Sequence, residues 1–199
     1  MVFINPANPQ QKYNPSIKKK LIIDVIDPIN PTFGSDDRGN TSVVINTNYG
    51  VQEVVERIVQ LAKIEQGLIY QLAFIGHGMS GAQMVGVGTG RGLTPPERKH
   101  AQNQQMLSHK NLPRLTATLS KLTPLFHPQG KVLLEGCNVG EGKGGTLLLQ
   151  GLSKIWKVPV EGSTRLQTQL IKGFEGEVKK CTPIKCTKTS SFLGALWRI

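Results

Sequence analysis

Two residues in this chain have the type and surroundings for nucleophilic chemistry: Cys137 and His77. Each follows an apolar run and a glycine, in Phe74-Ile75-Gly76-His77-Gly78 and in Leu133-Leu134-Glu135-Gly136-Cys137. A thiol attacks as its thiolate, which needs a base or a positive partner beside it. The carbonyl it attacks needs N–H donors for the oxyanion that develops. A Gly-Cys at one strand end supplies the nucleophile and its own N–H. A His-Gly at a neighbouring strand end supplies the acid/base and a second N–H, that of Gly78. Leucine or valine at 76, 78 or 136 would fill the space through which a substrate backbone must approach. The other histidines compete poorly. His100 and His109 lie in the polar segment 93–110, and His127 lies in a Pro-flanked turn.

These residues need a scaffold that brings two strand ends together. Leu21 to Asp27 reads as a buried strand ended by Pro28, and Val43-Val44-Ile45 as a short one. Val51, Val54, Val55, Ile58, Leu61 and Ala62 recur at helical spacing, which predicts a helix over 50–64. Tyr70–Ile75 and Lys131–Glu135 read as further strands, with a helical repeat of Leu112, Leu115, Leu119 and Leu122 between them. Gln83–Val87 reads as a hairpin arm, and 93–110 as either a helix or a surface loop. A helix over 146–157 and a strand over Val158–Glu161 follow, with Ser163-Thr164 just beyond the strand. The last forty residues suggest a hairpin around Cys181–Cys186 and a final short strand. Alternating strands and helices predict an α/β sandwich with a mainly parallel sheet and helices on both faces. Chemistry in such sheets sits just past the carboxyl ends of the strands, where both candidate residues fall.

The apolar strand leading to His77-Gly78-Met79-Ser80-Gly81 resembles the H-G-x-x-G pattern of the clan CD cysteine peptidases, which include caspases, metacaspases, legumains and gingipains. Glu135-Gly136-Cys137 resembles their nucleophile turn. Gly136-Cys137-Asn138-Val139 with Gly142, Gly145 and Leu147-Leu148 is similar to a narrower group, a bacterial caspase-like domain often attached to large repeat or adhesin-like proteins. The resemblance covers roughly residues 20–170. It implies a caspase–haemoglobinase-like three-layer α/β/α sandwich: one caspase-like domain over 21–199, preceded by an extended or disordered arm over 1–20. It implies a cysteine endopeptidase with Cys137 as nucleophile, His77 as general acid/base, and the N–H groups of Gly78 and Cys137 as the oxyanion hole. It maps the pocket for the residue before the scissile bond onto Glu161 to Arg165, including Ser163 and Thr164. Arg165 would favour an acidic side chain there and Glu161 a basic one, and both stay open. Gly136 stands where many relatives carry alanine.

Composition bounds the alternatives. The chain has 199 residues, 38% of them hydrophobic, and a net charge of +11. Residues 1–100 hold ten Lys/Arg against eight Asp/Glu and residues 101–199 fourteen against five, so the charge rises from +2 to +9 between the halves. A basic half can dock acidic partners, and a catalytically inactive caspase-like binding module is the alternative function. The lysines are scattered and only 6% of residues are aromatic, which argues against nucleic acid. No apolar run approaches the ~20 residues of a membrane span. The first twenty residues lack an apolar leader core, so a cytoplasmic protein acting on protein or peptide substrates is expected. Its oligomeric state is open.

Other motifs are weaker. Gly86–Gly92 has G-x-G-x-G-x-G spacing rather than a dinucleotide fingerprint. Gly140–Thr146 fails the P-loop pattern twice, although its N–H groups and Lys143 offer an anion site as a third reading. No cofactor is expected, with calcium or another activator left possible. Asp24 and Asp27 with Asp36-Asp37 could bind a divalent cation, but their spacing fits no defined calcium loop. Cys181 and Cys186 lack the partners of a zinc site. With an odd cysteine count they are expected as thiols rather than a disulfide.

Overall fold

A computed structural model describes residues 19–26, 41–44, 50–85, 106–167, 174 and 176–190. A seven-stranded sheet is built from β1 (Lys19–Ile26), β2 (Thr41–Val44), β3 (Gly67–Ile75), β7 (Phe126–Glu135), β8 (Val160–Ser163), β9 (Glu177–Cys181) and β10 (Cys186–Ser190). Its spatial order is β10-β9-β8-β7-β3-β1-β2. The five strands from β8 to β2 pair in parallel, and β9 and β10 add an antiparallel edge. A second, three-stranded sheet holds β4 (Gly78–Met79), β5 (Ala82–Met84) and β6 (Met106–Ser108).

Among the described residues, three α-helices accompany the large sheet: α1 (Val51–Ile64), α2 (Leu112–Ser120) and α3 (Gly142–Trp156). They connect β2 to β3, β3 to β7 and β7 to β8, always stepping along the sheet in one direction. Right-handed crossovers that all step one way put their helices on one face. The packing agrees. Val54, Ile58, Leu115, Leu119, Leu149 and Trp156 share one core with Leu21, Ile23, Leu72, Phe74, Val132 and Leu134. The alternate strand residues Ile26, Ala73, Ile75 and Leu133 form a smaller cluster with Phe174 and Val178 on the opposite face. No helix covers that opposite face among the described residues.

Trp156 closes the main core. Its ring stacks on Phe74 with centroids 6.3 Å apart, and its indole N–H donates to the Leu119 carbonyl at 3.0 Å. That bond satisfies the polar end of a fully buried side chain.

Some boundaries move. α3 begins at Gly142 rather than at 146, and β8 runs over Val160–Ser163, so Ser163 ends the strand instead of following it. The sequence expectation for the two late cysteines is corrected: Cys181 and Cys186 form a disulfide, Cα to Cα 4.0 Å. They face each other across the pair that flanks the β9–β10 turn, so strand pairing itself brings the sulfurs within bonding reach. Of the arm expected over 1–20, Lys19 and Lys20 belong to β1; residues 1–18, Asp27, Asp36, Asp37, the glycine run 86–92 and the expected final strand lie outside the described residues.

Candidate functional site

The site stands at the carboxyl ends of β3 and β7, neighbouring parallel strands near the centre of the sheet. Ile75 pairs with Glu135, so the residues that follow, Gly76-His77 and Gly136-Cys137, leave the sheet at the same level. The two motifs then meet through their backbones. A Cβ placed on Gly136 would lie 2.8 Å from the Gly78 Cα and 2.9 Å from the Gly78 nitrogen. One placed on Gly78 would lie 2.8 Å from the Gly136 Cα and 2.4 Å from a Val139 methyl. Side chains at either position would force the strand ends apart.

Each half has a local reason for its shape. Asn138 follows Cys137 with φ 56°, the left-handed conformation that asparagine tolerates better than most residues. This turn carries the thiol off the end of β7. On the other side, Ser80-Gly81 turn β4 into β5, and Gly81 has φ +73°. The Gly81 N–H donates to the Val139 carbonyl at 3.1 Å, and the Ser80 hydroxyl to the Glu141 carbonyl at 2.9 Å. The H-G-x-x-G loop is thereby stitched to the loop that follows the cysteine.

Met84 N–H donates to the His77 carbonyl at 2.9 Å. In an antiparallel ladder the next pair, Gly78 with Gln83, is then a non-hydrogen-bonded one. The Gly78 N–H accordingly turns away from β5, consistent with its nitrogen lying against Gly136.

His77 is exposed and Cys137 half-buried. No hydrogen bond joins the imidazole to the thiol among the described residues. The thiol meets Gln167 instead: the Gln167 N–H donates to Sγ at 3.4 Å, and the Gln167 carbonyl lies 3.7 Å from it. Asn138 N–H donates to the Arg165 carbonyl at 2.9 Å. The segment after β8 therefore runs directly along the nucleophile turn.

That segment contains the remaining candidates. The buried Ser163 hydroxyl is shared with the Arg165 main chain, at 2.9 and 3.0 Å, and with the Gln167 amide. The Thr164 hydroxyl lies 3.0 Å from both the carbonyl and the carboxylate of Glu177. Both hydroxyls thus build the turn. Glu161 pairs with Lys180 at 3.3 Å. Arg165 is exposed, and its side chain runs beside Gly176. Lys188 and Thr164 bond the Glu177 carboxylate and hold it below its ordinary value of 4.5, with Lys188 the larger cause.

Three contributors were not singled out as functional from sequence. Gln167 touches the thiol. His109 packs on the H-G-x-x-G loop, its N–H donating to the Gly81 carbonyl at 3.2 Å and its Nδ1 lying 3.3 Å from the same oxygen. Its polar neighbours disguised it as a surface residue. Gln83 is wholly buried, and its side-chain oxygen is the one buried side-chain N or O atom without a partner among the described residues. Nothing in its residue type flagged it.

Other features are quieter. Lys143 is exposed in the first turn of α3. The Gly142 carbonyl in that turn accepts from Lys179 at 3.1 Å. Burial, and then the nearby Lys188, push the Lys179 ammonium below its ordinary value. Asp24 is buried on β1. No cluster of three His, Cys, Asp or Glu suited to a metal occurs among the described residues. No helix among them is long and apolar enough to cross a membrane. A cleft of about 240 Å³ between α1 and α2 is lined by Gly50, Gln52, Arg114 and Thr118 and holds none of the candidate residues.

A family model described as a domain of unknown function, DUF4347, matches residues 97–176, less than half of the chain. The match takes in Cys137 and the 161–165 segment but stops short of His77. No curated protein and no solved structure matches the chain significantly.

Proposed function

We propose that this chain is a cysteine endopeptidase of the caspase-like type, on a mainly parallel α/β sheet. The observation that carries the reading is the backbone contact of Gly78 with Gly136, which holds His77 and Cys137 at one sheet edge. Thiolate attack on a peptide carbonyl gives a tetrahedral oxyanion, which the N–H groups of Gly78 and Cys137 would receive. Collapse expels the amine, protonated by His77, and leaves a thioester on Cys137. His77 then takes a proton from water, which attacks the thioester and frees the thiol. The Gln167 main chain flanks Sγ with both its N–H and its carbonyl.

Of the two pocket charges, Arg165 has its main chain bonded to the nucleophile turn, with its side chain beside Gly176 and near the Glu177 carboxylate, while Glu161 is paired with Lys180. On this reading the substrates are proteins or peptides, and an acidic residue before the scissile bond would have to compete with Glu177 for Arg165.

The test is cleavage of a proteome-derived peptide library read by mass spectrometry. Wild type and Cys137→Ala are run side by side, with and without calcium. Cuts made only by wild type are expected. No cuts by either protein in any condition would reject the peptidase and leave the binding module with its basic C-terminal half.

A further inference from the structure

Gln83 touches both halves of the candidate site. It lies on β5, fully buried, opposite Gly78. Its amide nitrogen donates to the His77 carbonyl at 3.2 Å and to the Met84 carbonyl at 3.0 Å. Its oxygen lies against Gly136, 2.6 Å from where a Cβ would stand. The amide cannot be turned around, because the oxygen would then face two carbonyls. The oxygen thus stays buried and unpaired.

A buried acceptor without a donor lowers stability. An apolar side chain of the same length would fill the space without that penalty. The His77 carbonyl does not depend on Gln83 for a partner, since Met84 N–H already serves it. The Gln83 amide also serves the Met84 carbonyl, but the unpaired buried oxygen offsets that gain, and what the residue adds beyond it is geometric. Its N–H group ties down the main chain that carries the imidazole, and its oxygen bears on the turn that carries the thiol.

We propose that Gln83 is a positioning residue, setting the distance between His77 and Cys137 without touching substrate. This rests on the Cys–His reading above. It also accounts for glycine rather than alanine at 136, since a methyl there would collide with the Gln83 oxygen as well as with Gly78.

The experiment compares wild type, Gln83→Met, Gln83→Leu, His77→Ala and Gly136→Ala. Two readouts need no substrate: urea unfolding, and the rate of Cys137 alkylation by iodoacetamide across neutral pH. Gln83→Met should unfold at the same or higher urea concentration. It should also be alkylated roughly tenfold more slowly, with the pH profile of His77→Ala. Where a cleaved peptide is in hand, kcat should fall with KM unchanged. Gln83→Leu should repeat the pattern if Met packs poorly. Loss of stability in step with reactivity in both variants would overturn the proposal, as would normal alkylation. If His77→Ala slows alkylation and Gln83→Met does not, the positioning role alone fails. If His77→Ala leaves alkylation unchanged, the Cys–His reading fails and takes the positioning role with it.

Discussion

Gly78 and Gly136 touch backbone to backbone at the ends of two adjacent parallel strands, each occupying the space a side chain on the other would need. That contact converts two motifs 60 residues apart, His77-Gly78 and Gly136-Cys137, into one site. Alanine at 136 could push the end of the Gln83 side chain aside, but it would still meet the Gly78 backbone, which cannot give in the same way. Gly136→Ala is expected to cost about 1–3 kcal/mol, as overpacking does in a tight interior. Its urea midpoint should fall accordingly, and an unchanged midpoint would show that the strand ends are looser than the contact implies.

Arg165 predicts the residue before the scissile bond. If a substrate carboxylate outcompetes Glu177 for it, cuts in the peptide library should follow Asp or Glu. Arg165→Gln should lower kcat/KM for those peptides by roughly 10–100-fold, because a site built around a charge then leaves the substrate carboxylate unpaired. Peptides with a neutral residue there should be affected much less. Cuts after Lys or Arg would instead give the pocket to Glu161, and Glu161→Gln would then carry the loss.

What could be read from the sequence was whatever one strand or helix announces by itself. The spacing of Val51 to Ala62 gave α1 to within a residue, and the apolar runs ending at Ile75 and Glu135 gave the strands that present His77 and Cys137. The start of α3 was harder to read, because Gly142-Lys143-Gly144-Gly145 has poor helix propensity. Its first turn is held from outside, by Lys179 on β9 bonding the Gly142 carbonyl and the Thr146 hydroxyl. Gln83, His109 and Gln167 were illegible for a related reason. Each acts through a main-chain or side-chain contact with a residue at least six positions away, and such contacts leave no periodic trace. The cystine was missed because counting cysteines ignores strand register.

Cys181 and Cys186 yield a separate prediction. Thiol titration of the denatured, unreduced protein should find one thiol, Cys137, and reduction should raise the number to three. By chain entropy the short loop is worth about 2 kcal/mol, so Cys181→Ser with Cys186→Ser should lower the unfolding free energy by that amount. The compartment enters here. A cytoplasmic location was expected, yet cytosolic thiols stay reduced. Trapping thiols by alkylation in cells that make the native protein separates the two. Blocked Cys181 and Cys186 would place the protein in the cytosol, and an intact cystine would place it in an oxidising compartment.

Glu177 links pH to the segment that covers the thiol. Lys188, 2.8 Å away, and the Thr164 hydroxyl favour its charged form, so its folded value lies below the ordinary 4.5. A depressed carboxyl stabilises the fold above its unfolded value, and that contribution disappears as pH falls through the lower folded one. Glu177→Gln removes the charge at every pH. Wild type should therefore be the more stable of the two at neutral pH, with the gap closing only under acid conditions below 4.5. Part of the gap should also be screened by salt, because both partners are partly exposed. Paired urea titrations at neutral pH and near about pH 3 make the measurement. Equal stability at neutral pH, or a gap that survives in acid, would show that the Glu177 carboxylate adds nothing to the bracing of Thr164 and the turn beside Cys137 that its main-chain carbonyl supplies.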